Sequence, residues 1–579
     1  MVRVLLAAGP TDTGTQRGMA SSRGRLALAA AALVLVAGLA WSWRAFMASP
    51  DGAASDPADD RPSLAVLPFA GPPDEAGEAY FAEGIADDLT TDLSKVGGLF
   101  VVSRNSAFAF KDQDVPLHDV AERLGVRYVL EGSVRRAGNA VRINAQLTDA
   151  TTGGHLWAER YDGSLTDVFA LQDRVTKSIV DALAVALTPE EAGRIGEVGT
   201  ASAEAYDAYL SGLSYWYRHT PQAHVEALQQ FERAVGHDPA FLRARAAAAK
   251  VYLFAFTRER SYSAAIGQHP YALLRRALTH LEVAWHRPIA DVHVMRSWLA
   301  FRRHQLDLAI AEAEHALDLS PNDADALEAL AEALIYAGRT EEGGAFADRA
   351  LRQSPIQPAA PLYVKGIAAF VAGDPAGAVE LFERAGRFAP EPSRFAAILA
   401  AAYSELGDAA AASGALELYK KALGTGGSLE DALWRHPFEE LAVAERFAAG
   451  LKAAGAKWVS WEFLPIDRDN RLSGEELRAL LFGHSIQGLN MTLALPWRQT
   501  RTVEGAVQDT GRWRAIWYAV PSGGVGRIEG DRLCETWPDL SAAVPFCVSV
   551  HRLPPGPWSR IGDYVMVNDL GAHLFKVVD

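Results

Sequence analysis

The sequence predicts a multidomain chain: one membrane-spanning helix, a small α/β domain, an all-α solenoid and a small β-rich module of half-barrel type. Three observations carry this prediction. Residues 26–43 (LALAAAALVLVAGLAWSW) contain no charge. Pro321, Pro355 and Pro390 recur at spacings of 34 and 35 residues, and Gly338, Gly373 and Gly407 at 35 and 34. After Ile486 the apolar residues fall into short runs separated by turn residues.

The 579 residues, 49% hydrophobic and 22% charged, suffice for several buried cores. A formal charge of −15 repels a phosphate backbone, so nucleic acid is not an expected partner. Two cysteines, Cys534 and Cys547, do not make a zinc site, which takes four ligands.

The uncharged run would span roughly 27 Å as a helix, close to a hydrocarbon core. Arg3, Arg17, Arg23 and Arg25 precede it; Arg44 and then Asp51, Asp56, Asp59 and Asp60 follow. The positive-inside bias predicts a cytoplasmic tail over 1–25, a span over 26–43 and export of the rest. A single-pass inner-membrane localisation follows, with the bulk of the chain periplasmic. A cleaved signal peptide starting at Met19 is the other reading. Residues 44–61 read as a linker.

Residues 62–195 alternate strand and helix patterns. Ser63 to Phe69 reads as a buried strand. Ile85, Leu89 and Leu93 repeat at helical spacing, with Asp87, Asp88 and Asp92 on other faces. Those three aspartates are expected on a solvated face. Leu99 to Ser103, Tyr128 to Arg136, Val141 to Asp149 and Leu156 to Tyr161 read as strands, the middle two joined by Ala137-Gly138-Asn139. Val168, Leu171, Val175 and Ile179 mark a closing helix. Arg135 and Arg136 are expected exposed at the hairpin tip, with His155 and Trp157 packed beside the sheet.

The stretches LAVLPF (64–69), YFAEGIADDLTTDLSKVGGLFVVSRNSAFAFK (80–111), LGVRYVLEGSVRR (124–136) and INAQLTDATTGGHLWAERYDGSLTDVFALQDRV (143–175) resemble the TolB-N-terminal-like domain of bacterial adenylate/guanylate cyclase-associated and tetratricopeptide-repeat (TPR) proteins. The resemblance implies a position between a membrane span and TPR repeats. In the family a class III cyclase or a DNA-binding domain often precedes the span. Only about 25 residues stand before it here, too few for either.

Residues 200–425 hold the repeat. Ala309, Ala313 and Ala316 are matched by Gly343, Ala347 and Ala350, and then by Ala378, Phe382 and Ala385. Gly366 is the small residue of a first helix. Small residues let paired helices approach, and the proline stops the second helix. Ala227, Phe231, Ala234 and Pro239 mark an earlier repeat, and the stretch from Tyr252 to Pro288 is degenerate. Period and small-residue pattern resemble the TPR family, in about five repeats. The resemblance implies a groove for a protein or peptide. Tyr209, Tyr215, Trp216 and Tyr217 are expected to pack in the first repeat.

Residues 426–483 read as a helical connection. Trp434 to Phe438 (WRHPF) and the helix from Val443 to Ala454 resemble a capping segment of cyclase-associated relatives. Asp467, Asp469, Ser473 and Glu476 look like a calcium loop, but ten residues replace the required twelve and the turn glycine is missing. Ser473 capping a helix over 475–482 fits better.

Over 484–579, Arg512–Val520, Gly526–Ile528, Arg532–Trp537, Phe546–His551, Asp563–Asn568 and His573–Val578 read as strands, with Trp513, Trp517, Trp537 and Trp558 as core bulk. The module looks like a lipocalin-like half-barrel. Cys534 and Cys547 fall on neighbouring strands, so a disulfide is expected, with two buried thiols as the other reading.

No phosphate-binding loop, nucleophile elbow, zinc motif or dinucleotide fingerprint occurs. No catalytic, cofactor or metal residues are therefore expected. The function expected is a membrane-anchored TPR scaffold or sensor. The alternatives are a detached regulatory partner of a nucleotide cyclase, and ligand binding or catalysis in the C-terminal module.

Overall fold

The computed structural model describes residues 61–71, 79–195, 199–257, 260–268, 270–286, 289–302, 304–388, 393–423, 429–456, 470–490, 495–504, 506–509, 524–536, 546–553, 563–568 and 571–578.

The first part contains β1 (Ser63–Val66), α1 (Ala79–Ser94), β2 (Phe100–Val101), α2 (Arg104–Phe108), α3 (Leu117–Leu124), β3 (Tyr128–Ala137), β4 (Ala140–Asp149), β5 (Gly154–Ser164), α4 (Val168–Ala182) and α5 (Pro189–Ile195). The five strands form one sheet in the order β2-β1-β3-β4-β5. β1 runs parallel to β2 and β3, and β3, β4 and β5 form an antiparallel meander. Alternation sends Leu64, Val66, Leu130 and Val134 to the face covered by α1 and α4, and Ala65 and Val129 to the face covered by α3.

Among the described residues six helical pairs follow. They are α6 (Ala203–Trp216) with α7 (Pro221–His237), α8 (Leu242–Thr257) with α10 (Pro270–Ala284), α11 (Ala290–Arg302) with α12 (Leu306–Leu319), α13 (Ala324–Tyr336) with α14 (Thr340–Gln353), α15 (Ala359–Val371) with α16 (Pro375–Gly386), and α17 (Ser393–Glu405) with α18 (Ala409–Leu423). The short helix α9 (Arg260–Ile266) is inserted between α8 and α10. It is what stretches the sequence period there. We call the first helix of each pair A and the second B. Successive A helices touch one another from α8 onward and successive B helices stand farther apart, so the A helices line the inner wall of the curve. Gly338, Gly373 and Gly407 close the A–B turns at φ of 80°, 79° and 79°, a left-handed conformation that favours glycine.

The chain then returns over the solenoid through α19 (Leu429–Arg435) and α20 (Leu441–Ala453), and α20 packs on α17. Last come α21 (Gly474–Leu481) and the strands β6 (Ser485–Asn490), β7 (Leu495–Arg501), β8 (Ala506–Asp509), β9 (Gly524–Glu529), β10 (Arg532–Thr536), β11 (Phe546–Arg552), β12 (Tyr564–Asn568) and β13 (Gly571–Val577). Each strand pairs antiparallel with the next and β13 with β6, closing a barrel. Ser473 caps α21 in a reciprocal capping box with Glu476. Asp467 and Asp469 lie outside the described residues.

Several expectations are corrected. Among the described residues no helix is long and apolar enough to cross a membrane. Residues 26–43, where the span was expected, lie outside the described residues. The fold class of the described residues therefore holds no spanning helix, and the single-pass inner-membrane localisation finds no support among them. The half-barrel is a closed eight-stranded barrel, because β6, β7 and β8 supply strands that weak alternation hid. The run 512–520 and all four tryptophans assigned to its core lie outside the described residues. The α/β layer and the solenoid are not separate cores: one continuous cluster runs from Leu64 to Ala326. A second takes in the later repeats and the returning helices, and the barrel has its own.

Candidate functional site on the inner wall of the solenoid

The repeat residues named from the sequence pack the helix pairs behind the wall. Ala309, Ala313 and Ala316 on α12, Ala347 and Ala350 on α14, and Ala378, Phe382 and Ala385 on α16 are buried where each B helix meets its A helix. Gly366 lets α15 approach α16: a Cβ there would lie 2.6 Å from the Phe382 ring. Pro321 and Pro355 follow α12 and α14 in the turns to the next A helix. Pro390 lies outside the described residues.

The TPR resemblance implies a groove along this wall. The chain itself covers both its edges. At the N-terminal ends of the A helices sits the α/β layer. Asn322 Nδ2 donates to the carbonyls of Val96 and Leu99 at 3.0 and 3.1 Å. Ser103 N donates to Gln353 O at 2.8 Å, and Ser106 Oγ accepts from Ile356 N at 3.2 Å.

Behind these contacts lie the aspartates of α1. Asp87, Asp88 and Asp92 are buried, which corrects the solvated face expected for them. The reason is that α1 is covered by the sheet on one side and by α6 on the other. Asp88 accepts from Tyr206 Oη at 2.5 Å, Gln172 Nε2 at 3.1 Å and Arg243 Nη2 at 2.5 Å. Asp87 lies 3.2 Å from Arg104 Nε, whose guanidinium stacks 3.5 Å over the Tyr217 ring. Burial pushes the Asp87 and Asp92 carboxyls up, against the pull of Arg104 on the first and Lys95 on the second. Arg136 is not a free hairpin cation: it pairs with Asp207 at 2.6 Å. Arg135 is exposed, and His155 is exposed on β5.

Farther along the wall, Lys250 of α8 donates to Asp325 of α13. Its ammonium lies 5.6 Å from the Trp216 ring centre and 5.9 Å from that of Trp298. Burial works to lower its pKa, but Asp325, Asp291 and Asp323 outweigh that and raise it. Tyr209 and Trp216 are core residues, as expected of that aromatic run.

At the C-terminal ends of the A helices lies the returning chain. Arg302 Nη1 donates to Arg435 O at 3.3 Å. Tyr336 Oη lies 2.5 Å from His436 Nδ1, and Glu439 N donates to Tyr336 O at 2.9 Å. The Phe438 ring stacks on Tyr336 with centres 4.6 Å apart. Arg446 caps α15 by donating to Phe370 O and Val371 O, and pairs with Glu405 at 3.1 Å. Sequence reasoning named WRHPF as a capping segment but missed Arg243, Lys250, Asn322 and Tyr336. Their partners lie tens to hundreds of residues away, so no spacing announces them.

No family model matches the chain. It is 45% identical over 222 residues to "Putative adenylate cyclase 3" of Rhizobium meliloti (strain 1021), a match covering 38% of this chain and 38% of that relative. Among solved structures, TolB from Acinetobacter baumannii shares 18% identity over 21% of this chain and 28% of that one, with a TM-score of 0.16. YrrB, a TPR protein with an unusual peptide-binding site, shares 19% over 36% of this chain and 95% of that one, with a TM-score of 0.22. These TM-scores carry no argument, and the solenoid assignment rests on the paired helices themselves.

Proposed function

We propose that this chain is a protein-interaction scaffold that receives an extended segment of a partner on the inner wall of its TPR-like solenoid. The observation that carries the reading is the wall itself. A helices align their ends along one surface, and two stretches of the chain already lie against it through backbone carbonyls and aromatic rings. Polar contacts at helix ends plus a few anchoring rings suit recognition of extended peptides. A photoreactive residue placed at Asp325, on the wall, should capture a protein that one placed at Glu417, on the outer helix α18, does not. Equal capture at both positions would overturn the reading.

A second reading has one observation behind it: the 45% identity with the cyclase relative. On that reading the chain regulates a nucleotide cyclase without being one. The TolB-like resemblance of the α/β layer belongs here, as part of the same proposal. The purified chain should form no cyclic nucleotide from ATP or GTP, and formation of either product would refute it. Ligand binding in the barrel has less support. Among its described residues Ile486, Leu533, Val550 and Phe575 fill the core.

A further inference from the structure

Between α19 and α20 the chain is not helical over residues 436–440, and it lies across the ends of the A helices. His436 and Phe438 meet Phe447 of α20 at 5.3 and 5.5 Å, and the remaining contacts there are of the kind a bound peptide makes. The last carbonyls of an α-helix lack intrahelical donors, and Glu439 N fills this vacancy at Tyr336 O. Phe438 enters an aromatic subsite, stacked on Tyr336 at 4.6 Å and 6.2 Å from Phe370. Phe301 meets Tyr336 edge-on at 5.0 Å. His436 is 5% exposed and bonds the Tyr336 hydroxyl. Pro437 fixes φ and lowers the entropy lost on holding the segment extended.

Resting on the scaffold reading, we propose that residues 435–440 (RHPFEE) are a cis-bound peptide. They occupy the subsite that takes an extended proline-aromatic segment of a partner, so partner binding displaces the chain's own segment. The subsite is built by Phe301, Tyr336 and Phe370 from three successive A helices, and the anchor is the ring two residues after the histidine. Buried residues of α19 and α20, among them Leu429, Val443 and Phe447, tether the segment on both sides. Displacement therefore needs only local release. The high local concentration of the tethered segment keeps the subsite closed to weak competitors.

The test uses the full chain and a fluorescein-labelled peptide of residues 430–442, followed by anisotropy. Phe438→Ala should bind the peptide at least tenfold more tightly than the native chain, and a peptide carrying the same substitution should bind neither. A Phe438→Ala chain with native helicity and no gain in binding would show the segment to be a fixed part of the fold. The native chain supplies a measurement that does not depend on any variant folding. Peptide raised above the effective concentration of the tethered segment, on the order of millimolar, should speed hydrogen exchange at the Glu439 amide, and unchanged exchange overturns the proposal. A partner crosslinked at Asp325 that leaves Glu439 exchange unchanged would sink this inference and leave the scaffold standing. Equal capture at Asp325 and Glu417 would sink the scaffold itself.

Discussion

Asp88 is 1% exposed, and its charge is tolerated because Arg243 reaches it from α8, 155 residues away in sequence. Replacing Arg243 with Met keeps bulk and removes the guanidinium, leaving a buried carboxylate with two neutral donors. Breaking one side of such a pair costs about 3–5 kcal/mol, measurable as a lower denaturation midpoint. His224 is the opposite case. It is fully buried, and Trp216 stacks on it at 4.5 Å. Burial, with help from His219, pushes its pKa from 6.5 down to about 4. The unfolded chain therefore takes a proton below about pH 6.5 that the folded chain refuses until about pH 4. Stability is lost as pH falls through that window, by up to about 1.4 kcal/mol per unit. In His224→Gln that component should vanish. The advantage of the native chain over the variant should shrink from pH 7 to pH 4 in denaturation curves; a constant difference would refute the assignment. None of this was legible in the sequence, where His224 is one more residue of an amphipathic helix and Asp88 reads as solvated.

The repeating elements were far more legible, because their period follows from packing. A residue such as Gly366 recurs where two helices touch, and Gly407 where a turn needs positive φ. The two glycines make separable predictions. Gly366→Ala drives a methyl to 2.6 Å from the Phe382 ring and should cost about 1–3 kcal/mol by overpacking. Gly407→Ala meets nothing within 4 Å, so only its φ of 79° opposes it, at about 1 kcal/mol. Thermal melts should rank the pair in that order. The barrel strands were less legible: half-buried strands of four to seven residues carry too few alternations. One local feature survived that loss. Cys534, 1% exposed, stands directly opposite Cys547 in the β10–β11 register, and no free cysteine occurs among the described residues. We propose that the two are bridged, as facing positions on paired strands allow. Alkylation without reduction should then leave both unmodified in a mass-spectrometric digest, and two alkylated cysteines would remove the bridge.

For the whole molecule the question is how many pieces melt. The change of pattern near residue 200 suggested an α/β domain followed by a separate solenoid. The core joins the two: Leu64 of β1 and Ala326 of α13 belong to one buried cluster, and Ile356 packs against the far face of the sheet. Cutting near residue 199 would expose that shared surface, at roughly 25 cal/mol for each Å² of apolar area. The barrel differs. Its buried cluster runs from Leu472 to Phe575 and shares no buried member with those of the α/β layer and the solenoid. Calorimetry of the full chain should therefore show two transitions. One belongs to residues 61–456 as a unit, the other to the barrel. A chain ending at Ala456 should keep the first transition within about 2 °C and lose the second. A chain covering only 61–199 should melt without cooperativity and bind a hydrophobic dye. A sharp, independent transition in that fragment would mean that the α/β layer completes its core alone. The contacts of Asn322 and Arg243 would then be a docking interface.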